Sequence, residues 1–140
     1  MRIALSASVA GALFSVGLSS LAAPAAAAPT TTEPIERQLS STEVPFTDRA
    51  DIVNTTSLAF DGWSRLPETN SIRVYFVAGT PSCYGVHATT TETPDAVTVH
   101  LSEGLLPEAA DRLCSAKAVL GATTITLDAP LGDRAVLSAS

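Results

Sequence analysis

From Asp48 onward Pro, Gly, Asn or Asp interrupts the chain at short intervals, and what lies between is rich in Val, Ile and Thr. Runs this short and this β-branched cannot form helices of ordinary length, so the chain is expected to be all-β, built from antiparallel strands joined by tight turns. The candidate strands are Thr56 to Phe60, Ile72 to Ala78, Tyr84 to Thr91, Ala96 to Glu103, Ser115 to Leu127 and Arg134 to Leu137. In the second, Ile72, Val74 and Phe76 share one face and Arg73, Tyr75 and Val77 the other. The fifth changes phase: Ala116, Ala118 and Leu120 alternate inward before Gly121, and Ile125 and Leu127 after it. A phase change at a glycine predicts a bulge or bend there. Leu105 to Leu113, with Pro107 and Glu108 early, reads either as one helical turn or as coil.

The clearest element is a hairpin around Glu92-Thr93-Pro94-Asp95. A turn centred between Thr93 and Pro94 sets Val86 opposite Leu101, Ala88 opposite Val99 and Thr90 opposite Val97 on the buried face. The other face then carries Thr89 with Thr98 and His87 with His100, the two histidines of the chain. Pro94 favours the first central position of a turn, however, which would make the turn Thr93 to Ala96 and place the histidines diagonally. Facing imidazoles could share a zinc or copper ion; exposed strand histidines are the alternative, and two ligands alone make a poor site. No cofactor is expected.

The amino terminus adds a compartment. Arg2 is followed by an apolar stretch from Ile3 to Leu21 and by Ala25-Ala26-Ala27-Ala28, the layout of a secretory signal cleaved after Ala27. There is no cysteine near the cut to carry a lipid. We therefore expect residues 1–27 to be a signal peptide, 28–47 a flexible spacer rich in Thr, Ser, Pro and Glu, and 48–140 the folded domain. The product is secreted, extracellular or associated with the cell envelope, without a stable membrane span. Of eight basic residues only Arg2 leaves with the signal, so seven remain against fourteen acidic ones, a formal charge of −7. That balance excludes nucleic acid as a partner, since phosphates need a basic face. Cys83 and Cys114 survive cleavage, allow a single pairing and meet an oxidising compartment, so a structural disulfide is expected.

Catalytic motifs are missing from the sequence. There is no nucleophile elbow, no Gly-rich phosphate loop and no specified carboxylate pair, so no catalytic residue is assigned and the protein is read as non-enzymatic. Trp63, after Asp61-Gly62, either anchors a partner through an exposed indole or folds back as the cap of a small core. Tyr84 is expected to pack on the disulfide. A binding module for an unknown protein or envelope component is the leading functional expectation. A protease inhibitor is the alternative, with Gly79 to Ser82 as its loop, exposed and extended.

Four segments carry a resemblance: Val77-Ala78-Gly79-Thr80-Pro81-Ser82-Cys83-Tyr84-Gly85, Glu92-Thr93-Pro94-Asp95-Ala96-Val97-Thr98-Val99, Cys114, and Leu127-Asp128-Ala129-Pro130-Leu131-Gly132-Asp133-Arg134. In that order the chain resembles a group of small exported or lipid-anchored actinobacterial domains without an established activity. The resemblance implies a Cys83–Cys114 bridge and a compact β fold in the cell envelope. The chain departs from the group at Ala135 to Ser140 and in lacking a lipid-bearing cysteine. Together these readings predict a small antiparallel β-sandwich, immunoglobulin-like in architecture, with one disulfide. Arg134 is expected to pair with Asp133 or Asp128.

Overall fold

The computed structural model describes residues 23–140, so most of the expected signal peptide lies outside the described residues. Two sheets pack face to face, as the alternating runs require. In the first, β8 (Ala96–Leu105) is central, with β7 (Tyr84–Glu92) antiparallel along one side. The other side of β8 is shared: β10 (Ala135–Ala139) runs parallel beside Ala96 to His100, and β4 (Val53–Ser57) antiparallel beside Ser102 to Leu105. β1 (Thr31–Thr32) closes the edge of β10. The second sheet runs β2 (Ile35–Glu36), β5 (Gly62–Arg65), β6 (Ser71–Gly79), β9 (Ala118–Thr126), β3 (Val44–Pro45). The long pairings are antiparallel as expected, but β10 with β8, β2 with β5 and β3 with β9 are parallel. Among the described residues the only helical element is a 3-10 turn, Pro107–Ala109, and no helix is long and apolar enough to cross a membrane.

The core follows from period-2 alternation. Ile72, Val74 and Phe76 of β6 meet Val86 of β7 and Val97, Val99 and Leu101 of β8, with Trp63, Ile125 and Val136 around them. Each such aliphatic side chain stabilises the fold by about 1.5–3 kcal/mol of transfer energy. A separate small cluster of Ile52, Cys83, Leu106 and Ala109 sits at one end, and the Cys83–Cys114 disulfide and Tyr84 pack into it.

Several expectations are corrected. Residues 28–47 do not form a flexible spacer: β1 pairs with β10 at one edge of the first sheet and β2 with β5 at the adjacent edge of the second. The segment then crosses the outside of the second sheet, where the Ser40 amide donates to the Tyr75 hydroxyl (3.0 Å) and the Arg37 guanidinium lies over the Tyr75 ring. Ser64, fully buried, bonds the same hydroxyl and the Arg37 carbonyl. β3 finally covers the far edge of that sheet, and Phe46 enters the core against Phe76. Backbone pairing and the side chains of Arg37, Phe46, Ser64 and Tyr75 hold a segment whose composition carries no period. The strand expected over Thr56 to Phe60 lies instead at Val53–Ser57, and β5 forms where no strand is expected.

Gly121 makes no bulge. The β6–β9 register runs unbroken from Ser71↔Thr126 to Gly79↔Ala118, so Leu120 points outward and is 66% exposed. A Cβ at Gly121 would lie 2.7 Å from the Phe76 ring and 2.8 Å from that of Phe46. The glycine is there because two aromatic rings press on its backbone. The hairpin takes the register that Pro94 favours: Thr93 N–H donates to Ala96 C=O (2.9 Å), Ala88 faces Leu101, and the buried face is as expected.

Candidate functional site

With that register His87 faces Ser102 and His100 faces Thr89, so the imidazoles are diagonal, not opposed. The His87 ring is instead held by Asp48, whose carboxylate oxygens lie 3.1 and 3.2 Å from Nδ1 while one of them accepts the Ala88 N–H at 2.7 Å. Both histidines line a shallow depression of about 160 Å³ with Ser57, Thr89 and Ser102. The Ser102 hydroxyl donates to the His87 carbonyl, so it is engaged with backbone. Among the described residues no group of three or more His, Cys, Asp or Glu could hold a metal ion. Trp63 is 5% exposed and belongs to the core, so its indole offers no surface to a partner. Gly79 to Ser82 is not extended: the amides of Cys83 and Tyr84 both donate to Thr80 C=O, closing a turn.

A larger concavity lies elsewhere, a crevice of about 540 Å³ at the disulfide end. β8 alternates inward through Val97, Val99 and Leu101, and the next inward position is Glu103. Its Oε1 accepts the Gly79 N–H (2.7 Å); among the described residues Oε2 accepts no hydrogen bond and no basic side chain forms an ion pair with it. Opposite Glu103, β4 breaks register between Val53 and Thr56, and Asn54 takes a left-handed conformation (φ 53°). Such bulges re-aim side chains, and asparagine tolerates this backbone better than most residues. Gly104 permits the close approach of the bulge, since a Cβ there would meet the Val53 carbonyl oxygen at 2.6 Å. Asn54 and Thr56 thereby line one wall, Val77, Ala78 and Tyr84 another, and Ser115 to Ala118 a third. That third wall is the chain leaving Cys114, so the disulfide, half of it buried in the end cluster, fixes the rim.

Charge pairs brace the same end. Arg49 binds Asp51 through two nitrogens, both at 2.7 Å, and reaches Glu108 on the 3-10 turn at 3.1 Å. These bonds keep the Arg49 guanidinium charged and depress both carboxyl pKa values. The opposite end of the hairpin shows a second inward carboxylate, Glu92, in a different condition. It accepts the Asp128 N–H (2.7 Å) and pairs with Arg134 (2.9 Å), each side chain 12% exposed, and its pKa is lowered first by that amide and then by Arg134. Arg134 thus pairs with Glu92, not with Asp133 or Asp128.

Sequence reasoning saw the histidines and missed the crevice. The available signal was the alternation itself, which puts Glu103 in phase with three core residues. No protein-family model matches the chain, and no curated protein and no solved structure matches it either.

Proposed function

We propose that this chain is an exported, non-catalytic recognition module whose contact site is the crevice beside Glu103, receiving a group that projects from a partner macromolecule. The observation that carries the reading is the inward carboxylate of Glu103, half satisfied by Gly79 and open to a crevice of about 540 Å³. A pocket with apolar walls and one well-placed polar group is the usual form of a recognition site. The disulfide fits an oxidising compartment, and with the signal-like amino terminus and the resemblance to small exported actinobacterial domains it supports action at or outside the cell envelope. The protease-inhibitor reading loses its loop, because Gly79 to Ser82 leads into a hydrogen-bonded turn.

The test is to fill the crevice. Ala116→Trp, on an exposed wall, should leave the circular dichroism and unfolding midpoint unchanged while abolishing capture of whatever component of envelope fractions the native protein retains. Equal capture by the variant would overturn the crevice as the contact site.

A further inference from the structure

Resting on that reading, we propose that the group received is a primary ammonium on a slim alkyl stem, a lysine side chain of a partner protein, with Glu103 as its counter-ion. The two inward carboxylates of the β7–β8 hairpin make the case. Glu92, at one end of the inward row, has a backbone amide on one oxygen and the Arg134 cation on the other. Glu103, at the other end, has the backbone amide of Gly79 on one oxygen and no cation among the described residues. Glu103 is only half-buried and its second oxygen is reached from the crevice, so a cation entering there would pair with it as Arg134 pairs with Glu92.

The walls choose among cations. Val77, Ala78, Ala116 and Ala118 line the way to Glu103, which suits a hydrocarbon stem carrying the charge at its tip. Asn54 and Thr56 add polar atoms on the same rim. Lys117, the one lysine of the chain, stands on that rim without pairing with Glu103, leaving the carboxylate open. The formal charge of −7 after signal removal favours the approach of a basic partner.

The experiment is an amide NMR titration of the disulfide-intact protein with three probes at millimolar concentration: Nα-acetyl-lysine methylamide, its norleucine counterpart lacking the ammonium, and glucosamine. The lysine probe should move the amide resonances of Thr56, Glu103, Ala116 and Lys117, and the norleucine probe should not. Glu103→Gln keeps an oxygen for the Gly79 amide, so it preserves the fold, and should weaken the lysine probe by about tenfold or more. Equal binding of the norleucine probe, or no effect of Glu103→Gln, would overturn the ammonium while leaving the crevice as a contact site. Glucosamine binding that depends on Glu103, without lysine binding, would overturn the choice of lysine. If no probe moves those resonances, the proposal and the crevice reading both fall.

Discussion

At the scale of single residues, two side chains and one glycine decide most of what is particular to this molecule. Glu92 and Arg134 are both nearly buried, and removing the charge of Glu92 strands the guanidinium, so Glu92→Gln should cost about 1–3 kcal/mol in urea unfolding at neutral pH. The pH dependence has a definite sign. The folded Glu92 pKa lies below the ordinary 4.5, so its contribution is fully present above that value and disappears as pH falls through the lower folded value. The stability gap between native protein and Glu92→Gln should therefore shrink on acidification from pH 7 into the range below 4.5, and a gap that widens would contradict the pairing. Gly121 is the second test, because any β-carbon there collides with the rings of Phe46 and Phe76. Gly121→Ala should destabilise by about 1–3 kcal/mol, an overpacking cost, and a neutral result would show that the rings are free to move.

At the scale of elements, the segment Thr31 to Phe46 acts as a clasp. It supplies β1, β2 and β3 as edge partners for β10, β5 and β9, and Asp48 makes one further bridge to Val86 of β7. Unpaired strand edges invite association with other chains, and very short edge strands are a common way to blunt them. Hydrogen exchange should find the amides of Ile35, Arg37 and Phe46 protected, since they donate to Asp61, Trp63 and Ala122 carbonyls, whereas a flexible spacer would exchange at once. Tyr75→Phe removes the hydroxyl shared by Ser40 and Ser64 and should lower that protection selectively. The sequence made β6, β7 and β8 legible because long alternating runs signal both strand and face; β9 was legible as a strand, but the residues before Gly121 read on the wrong face. The sequence hid the clasp because two-residue strands have no period to read, and β5 because its four residues place Gly62, Trp63 and Ser64 all in buried positions. The hairpin faces were legible, and their register turned on the single preference of Pro94 for its place in the turn. The histidines stood out by rarity, yet Asp48, which holds one of them, sits at the first position of the expected domain, ahead of every candidate strand. Glu103 was hidden by type: a glutamate is ordinarily read as surface, even where the alternation of its strand points inward.

At the scale of the whole molecule, the sandwich has two centres of cohesion: the main core between the sheets, and the small end cluster that contains the disulfide. The bridge spans 31 residues of sequence, and on the chain-entropy model its loss lowers global stability by about 3.5–4 kcal/mol. Its structural effect is local, since Cys83 and Cys114 pack with Ile52, Tyr84, Leu106 and Ala109 and set the wall of the crevice that follows Cys114. The disulfide builds the end that carries the crevice, while the two sheets stand without it. Hydrogen exchange of the native protein against Cys83→Ser/Cys114→Ser tests this most directly. The double variant should exchange faster through 106–118 and around Glu103, while the amides of β6 and the middle of β9 stay protected over the same minutes. Unchanged exchange at the crevice, or loss of protection throughout the sheets, would contradict it.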